Sequence, residues 1–239
     1  MTSATQKSFY WMGFRAGFPF LLVVVPFGTL FGVVATEAGM TTFQTIAFSS
    51  IVFAGASQFA ALQLMADNAP ILIVIATALA VNLRMAMYSA SLVVWLGEAP
   101  FWQRALVGYV NIDQSYAVSL NKFEDEPDLT LGQRLAFFFG VVSPISPMWV
   151  VSTGIGIWVG DGIPEWMALD FAVPICFLAI IAPMMRTLAH MLAAVTSIVC
   201  ALLLGGVPYN LGLLVAAVIA MIVGAQVEVW MERKGLNHD

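Results

Sequence analysis

Long stretches with few charged residues dominate the pattern of this chain. About 20 residues of helix cross a hydrocarbon core of about 30 Å. Runs with at most one charged residue cover 16–36, 38–66, 69–97, 105–121, 135–160, 168–185 and 187–227. A single helix over the last run would reach about 60 Å, twice the core thickness, so we expect it to divide at the turn 205–208 into 187–204 and 210–230.

These runs predict an all-α polytopic membrane protein with seven or eight transmembrane helices, some of them broken by proline or glycine. The first run contains Pro26 and Gly28. A proline removes one helical hydrogen bond, and freed backbone groups at membrane depth need protein or a wet cavity around them. We expect either a functional break there or an ordinary membrane helix. Residues 1–239 are expected to form one integral membrane domain.

Composition agrees with this class. Of the 239 residues, 61% are hydrophobic and 10% are charged, whereas soluble domains carry about 25% charged residues. No basic patch with interleaved aromatic residues appears, so nucleic acid is not an expected partner. Cys176 and Cys200 fall in separate apolar runs and are expected to be buried small side chains. No spacing suggests a metal site, a disulfide or a cofactor.

The run 69–97 would pass for an ordinary span but for Asn82, Arg84 and Tyr88 near its centre. A guanidinium stays charged in proteins, and placing it in mid-membrane costs about 3 kcal/mol unless water or a counter-charge meets it. Asp113, the one formal charge in 105–121, is the candidate counter-charge. The alternative is a surface helix whose Asp113 reaches water. The run 69–97 itself either crosses once or dips in and returns.

Other polar residues lie inside the runs. Ser57 and Gln58 offer donors and acceptors at membrane depth, either as interhelical hydrogen bonds or as substrate contacts. A continuous helix over 105–121 would place Asn111, Gln114, Ser115 and Asn121 on one face and Asp113 on the other. His190 is either a proton relay or, more simply, an interface residue beside Arg186.

Orientation should follow lysine and arginine in the short loops. If 69–97 crosses once and 105–121 crosses back, the chain has eight spans, and only Arg104 lies outside among the basic residues that flank them. If 69–97 dips and 105–121 stays at the surface, all of these residues lie inside. Both versions put the two termini in the cytoplasm. Residues 32–37 also resemble 156–161, which predicts repeat halves at about 14–121 and 135–234.

Several short motifs carry a resemblance to a known family. The order PFG (26–28), FAGASQF (53–59), NLR (82–84) with MYS (87–89), and DQSYA (113–117) resembles the AzlC family, over about 13–120. The resemblance implies the large subunit of a bacterial inner-membrane exporter of valine, leucine, isoleucine or methionine. It also implies a small hydrophobic partner subunit, AzlD. Met85 stands where the family pattern leads us to expect a histidine.

The residues and the resemblance together predict a secondary exporter, not an enzyme. Arg84 would hold the substrate carboxylate, and Asp113 would meet the ammonium group or exchange a proton. His190 is the second candidate for proton coupling. Neutral contacts would come from the side chains of Asn82, Ser57, Gln58 and Tyr88 and from the backbone near Pro26 and Gly28. The chain has no phosphate-binding loop, so we expect proton coupling. The alternatives are a scaffold subunit, in which Arg84 and Asp113 form a structural ion pair, and a passive channel.

Overall fold

A computed structural model describes residues 6–160, 185, 187–207 and 211–234 of the chain, and this part is helical. The predicted span 168–185, Cys176 and Arg186 lie outside the described residues, except Met185. The helices are α1 (Gln6–Gly17), α2 (Leu21–Glu37), α3 (Thr42–Ile51), α4 (Gly55–Ala66), α5 (Ile71–Leu96), α6 (Phe101–Val110), α7 (Asp113–Asp125), α8 (Leu131–Gly160), α9 (Leu188–Leu203) and α10 (Leu211–Arg233).

Three helical segments of the described part are long and apolar enough to cross a membrane. They are Gln6–Glu37, which joins α1 and α2 through a short 3-10 turn, then α5, and then α8. Leu188–Leu203 and Val215–Met231 are shorter apolar helices. The predicted class, an all-α polytopic membrane protein, is confirmed.

The chain divides into two compact units. One comprises residues 1–62 and 78–169, and the other comprises 63–77 and 170–239. In the second unit α9 and α10 pack against each other, and Gly224 lies where a side chain would approach Ala193. Cys200, in α9, is a half-buried free thiol.

The core of the first unit is the contact of α1 and α2 with α8. The backbone of Gly13 lies against Phe137, that of Gly17 against Val141, and that of Gly32 against Gly156. Glycine allows such close backbone approach in membranes. Because both sets of numbers rise together, α1 and α2 run parallel to α8.

The contact near Gly32 is reciprocal. A side chain on Gly32 would meet the carbonyl oxygen of Thr153, and a side chain on Gly156 would meet the carbonyl oxygen of Thr29. Thr29 and Gly32 thus stand opposite Thr153 and Gly156 at one constant offset, which is also the offset of the resembling segments 32–37 and 156–161. The internal repeat itself stays a prediction.

For two of the long runs the structure decides between the alternatives left open by the sequence. α2 continues through Pro26, and α8 continues through Pro144 and Pro147, because a membrane helix loses only the bond that the proline ring cannot make. The run 69–97 does not dip and return, since α5 is one continuous helix of 26 residues.

The run 38–66 is not one span either. α3 has 10 residues, about 15 Å, half the depth of the core. The Gln58 side-chain amide donates to the carbonyl oxygen of Phe48 at 3.0 Å, and the rings of Phe48 and Phe59 both lie against Phe31. Residues 48 and 59 therefore stand at one level, and α4 turns back after a break at 52–54. We call α3 and α4 the first hairpin.

The run 105–121 forms a second hairpin, α6 with α7, broken at Asn111 and Ile112. α7 runs parallel to α5, since Tyr88 meets Asp113, Ser91 meets Tyr116 and Trp95 meets Phe123. α6 runs the other way, from the end of α5 back to Asn111, whose amide lies 3.5 Å from the hydroxyl of Ser89.

The second hairpin corrects three expectations. The run 105–121 neither crosses the membrane nor stays at its surface, and the single helix face proposed for Asn111, Gln114, Ser115 and Asn121 does not exist. A charge-free run has the same composition whether it crosses or returns, and packing makes the difference. The two hairpin tips touch, since the hydroxyl of Tyr109 donates to the carbonyl oxygen of Ser50 and its ring lies 6.4 Å from that of Phe53.

The second hairpin enters and leaves at one face of the first unit, which we call the near face. α1 and α8 begin there, where Gly132 lies against Gln6, and α5 ends there, where the Arg134 guanidinium donates to the carbonyl oxygen of Trp95 at 3.2 Å. Several basic residues lie at this face: Lys7, Arg104, Lys122 and Arg134.

Candidate functional site

A charged pair lies at the centre of α5. Arg84 is 13 residues from the start of this helix, about 20 Å along its axis, and so stands near mid-membrane. Its Nη1 lies 3.0 Å from Oδ2 of Asp113, with 34% and 42% of the two side chains exposed. The predicted counter-charge is therefore in place. The pair is partly exposed and not sealed in the core.

The break between α6 and α7 puts Asp113 there. Asp113 is the first residue of α7, where the partial positive charge of the helix N-terminus stabilises a carboxylate. The turn is closed by Ser115, whose hydroxyl accepts from the backbone N–H of Ile112 at 2.9 Å. A continuous helix over 105–121 would have offered the carboxylate no such end.

Tyr88 holds the carboxylate from its other side, and Tyr116 stacks on Tyr88. The hydroxyl of Tyr88 donates to Oδ1 of Asp113 at 2.8 Å. The ring of Tyr88 lies 4.2 Å from that of Tyr116, nearly parallel to it, and the hydroxyl of Tyr116 donates to that of Ser91 at 3.1 Å. Both oxygens of Asp113 thus have a partner.

The break in the first hairpin orients a chain of hydrogen bonds. The carbonyl oxygen of Ala54 accepts from the hydroxyl of Ser57 at 2.9 Å. The Ser57 oxygen is then free to accept, and it does so from the side-chain amide of Asn82 at 3.1 Å. This order leaves Oδ1 of Asn82 buried and without a hydrogen-bond partner.

Further buried polar atoms also lack partners. They include Oε1 of Gln58, Nε of Arg84 and Oδ1 of Asn111. Gln58 and Asn111 are essentially fully buried, and an amide oxygen left unpaired away from water costs about 1–3 kcal/mol. With Oδ1 of Asn82, three acceptors and one donor therefore lack a protein partner.

The structure brings together most of the predicted site residues but not all of them. Ser57 contacts Asn82, and Arg84 and Tyr88 contact Asp113. Gly28 instead packs against Trp149 and Ser152 of α8. Pro26 precedes Gly28 by two residues in α2. His190 belongs to the second unit, where it is exposed in the first turn of α9 with its backbone N–H on Thr187. Its role in proton coupling stays a prediction.

Tyr116, Ser91 and Asn111 were missed from sequence as members of the cluster. One signal was present: Tyr88 and Ser91 are three residues apart, as are Asp113 and Tyr116, a spacing that puts each pair on one helix face. It becomes informative only once α5 and α7 are known to be parallel. Among the described residues no group of three or more His, Cys, Asp or Glu could hold a metal ion.

These features define a helical membrane protein with a charged pair at mid-depth between α5 and a helix hairpin. The family model described as "AzlC protein" matches residues 19–163. The chain therefore belongs to the AzlC family, as its motifs predicted.

Two curated relatives are similar over most of the chain. An "Uncharacterized membrane protein" of Archaeoglobus fulgidus is 28% identical over 200 residues, which cover 82% of this chain and 84% of the relative. The "Inner membrane protein YgaZ" of Escherichia coli is 27% identical over 180 residues, 70% of this chain and 69% of the relative. No solved structure matches.

Proposed function

We propose that the chain is a secondary transporter that exports branched-chain, zwitterionic amino acids such as valine, leucine, isoleucine or methionine. The observation that carries the proposal is the Arg84–Asp113 pair, which stands near mid-membrane and is more than one-third exposed. Charged residues at such depth mark substrate or ion pathways. The two hairpins support it too, because backbone ends at membrane depth are typical of transport sites.

The chemistry of the pair suits a zwitterion. An incoming carboxylate can replace Asp113 on Arg84, which binds carboxylates through two parallel hydrogen bonds. The ammonium group then replaces Arg84 on Asp113 and donates to the unpaired oxygens of Asn82 and Gln58. Charge is conserved at each exchange, so neither member of the pair is left unpaired in the membrane.

The resemblance to the AzlC family is the reason for proposing a coupling mechanism and a partner. We expect the proton gradient to drive export, with Asp113 or His190 as the proton carrier, and a small AzlD-like subunit to be required. The protein would lie in a bacterial inner membrane. The near face would be cytoplasmic, since Lys7, Arg104, Lys122 and Arg134 lie at it.

The test is uptake of labelled valine into inverted membrane vesicles, with and without a pH gradient and with and without the small subunit. Wild-type protein should take up valine and saturate. Arg84→Ala should lose uptake while remaining in the membrane, and Arg233→Ala, at the end of α10, should retain it. Normal uptake by Arg84→Ala would contradict the proposed role of the pair.

A scaffold subunit and a passive channel are the competing functions. The double substitution Arg84→Asp with Asp113→Arg keeps an ion pair but reverses it. It should restore a scaffold and should not restore a substrate site. A channel would show flux that neither saturates nor responds to the pH gradient. We propose no enzymatic activity.

A further inference from the structure

A groove runs between the C-terminal half of α5 and α6. Its volume is about 410 Å³, within the range of about 300–1,000 Å³ that small-molecule sites occupy. Its walls are largely apolar and include Leu92, Val93, Leu96, Val107 and Gly108, together with the polar residue Ser89. Arg104 also borders the groove, at the near face.

Gly108 is unusual among the helical glycines of the first unit. Gly13, Gly32 and Gly140 lie where a side chain would collide with a neighbouring backbone. A side chain on Gly108 would meet nothing within 4 Å, and its backbone conformation is one that any residue adopts. Neither packing nor geometry requires glycine here, although glycine costs a helix up to about 1 kcal/mol relative to alanine. The missing side chain leaves the groove open.

The groove extends from Ser89, the neighbour of Tyr88 in the sequence, toward the near face. At its inner end Ser89 follows Tyr88 and lies beside Asn111, whose Oδ1 is buried and unpaired. At its outer end lie Gly97 and Arg104, about 12 Å further along α5. No ion pair of Arg104 occurs within the described residues, so its guanidinium can attract a carboxylate.

We propose that this groove is the route by which the substrate reaches the charged site, and that its apolar wall binds the branched side chain. The ligand class is a small carboxylate with a branched apolar side chain. Arg104 attracts the carboxylate at the mouth, and Leu92 and Val107, both buried, bound the space for the side chain. This inference rests on the proposed function and specifies how one side of the site is reached.

Val93 and Val94 test whether the groove is filled by lipid, or instead by water and substrate. Val93 lines the groove, whereas Val94 is 81% exposed and lies outside it. In a chain with Cys176 and Cys200 replaced by alanine, Val93→Cys should react with a charged, water-soluble thiol reagent at least about tenfold faster than Val94→Cys, because only a hydrated thiol ionises readily. Added leucine should slow the reaction of Val93→Cys. Equal rates at both positions, or no protection by leucine, would overturn the route.

Filling the groove provides the second test. Gly108→Leu should reduce leucine export by about tenfold, the scale on which a pocket discriminates by size, and Gly108→Ala should reduce it less. Gly206→Leu is the control, since a side chain there also meets nothing within 4 Å and Gly206 is not a lining residue of the groove. Export at the wild-type rate by Gly108→Leu would overturn the route but not the proposed function. Absence of export by the unsubstituted chain would overturn the proposed function, and the route with it.

Discussion

Arg84 and Asp113 show how a single residue constrains its surroundings. A guanidinium at mid-membrane needs a counter-charge or water, and it has Asp113 at 3.0 Å together with one-third of its own side chain exposed. A fully buried pair would be costly to separate, since breaking a buried pair costs about 3–5 kcal/mol. The partly open pair is therefore suited to a ligand that replaces both partners at once.

Tyr88 provides a test at this scale. Tyr88→Phe removes the hydroxyl that donates to Asp113 at 2.8 Å and keeps the ring on Tyr116. Because hydrogen bonds to charged groups contribute about 1.5–3 kcal/mol, we expect the free energy of unfolding to fall by an amount near the lower end, as Asp113 is partly exposed. The KM for valine should rise. Thermal unfolding in detergent and vesicle uptake measure the two effects.

Tyr116→Phe is the comparison for that experiment. It removes a neutral bond to Ser91, which contributes about 0.5–1.5 kcal/mol, and leaves both partners of Asp113 in place. Its KM for valine should stay near that of the wild type. A KM that rises as much in Tyr116→Phe as in Tyr88→Phe would show that the Tyr88 hydroxyl has no special part in the site.

At the scale of elements, different contacts stabilise the half-length and the full-length helices. The long segments α1–α2 and α8 are held by backbone contact at glycines. The hairpins are held at their tips by polar bonds, such as Tyr109 to Ser50 and Ser57 to Ala54. Backbone that ends at membrane depth needs such partners. The breaks occur at 52–54 and 111–112, and neither contains proline or glycine.

Substitution of Gly32 tests the close packing of α2 against α8. Gly32→Val should separate the two helices, because its side chain would meet the carbonyl oxygen of Thr153 and the backbone of Gly156. Overpacking costs about 1–3 kcal/mol or more where the backbone must move. Gly205→Ala makes only an ordinary contact, 3.5 Å from the carbonyl oxygen of Ala201, and should be nearly neutral. Equal melting temperatures in detergent for the two variants would contradict this packing.

At the scale of the molecule, the second hairpin decides which loops share a face. α5 ends and α8 begins at the near face, with α6 and α7 between them. The acidic loop around Asp128 therefore lies on the same side as Glu98. Arg104 lies on the same side as Lys7, Lys122 and Arg134. A crossing over 105–121 would have placed Arg104 on the opposite side from these basic residues.

Cysteine labelling tests this topology. In the background without Cys176 and Cys200, Glu98→Cys and Asp128→Cys should react with an impermeant thiol reagent from the same side of the membrane. Met40→Cys, beyond the end of α2, should react from the opposite side. Sealed vesicles of known orientation provide the measurement. Labelling of positions 98 and 128 from opposite sides would show that 105–121 crosses.

The sequence by itself determined the class of protein and the need of Arg84 for a partner. Hydropathy is a local property of the chain, so the apolar runs alone indicate a membrane protein, and the energy of a buried guanidinium alone indicates that Arg84 needs a partner such as Asp113. The tertiary structure alone decided the paths of 38–66 and 105–121. Each run is long enough either to cross the membrane or to return as two half-length helices, and only tip contacts such as Tyr109 to Ser50, made by residues 59 positions apart, favour return. The same parallel packing of α5 and α7 brings Tyr116 and Ser91 to the site, which no local pattern reveals.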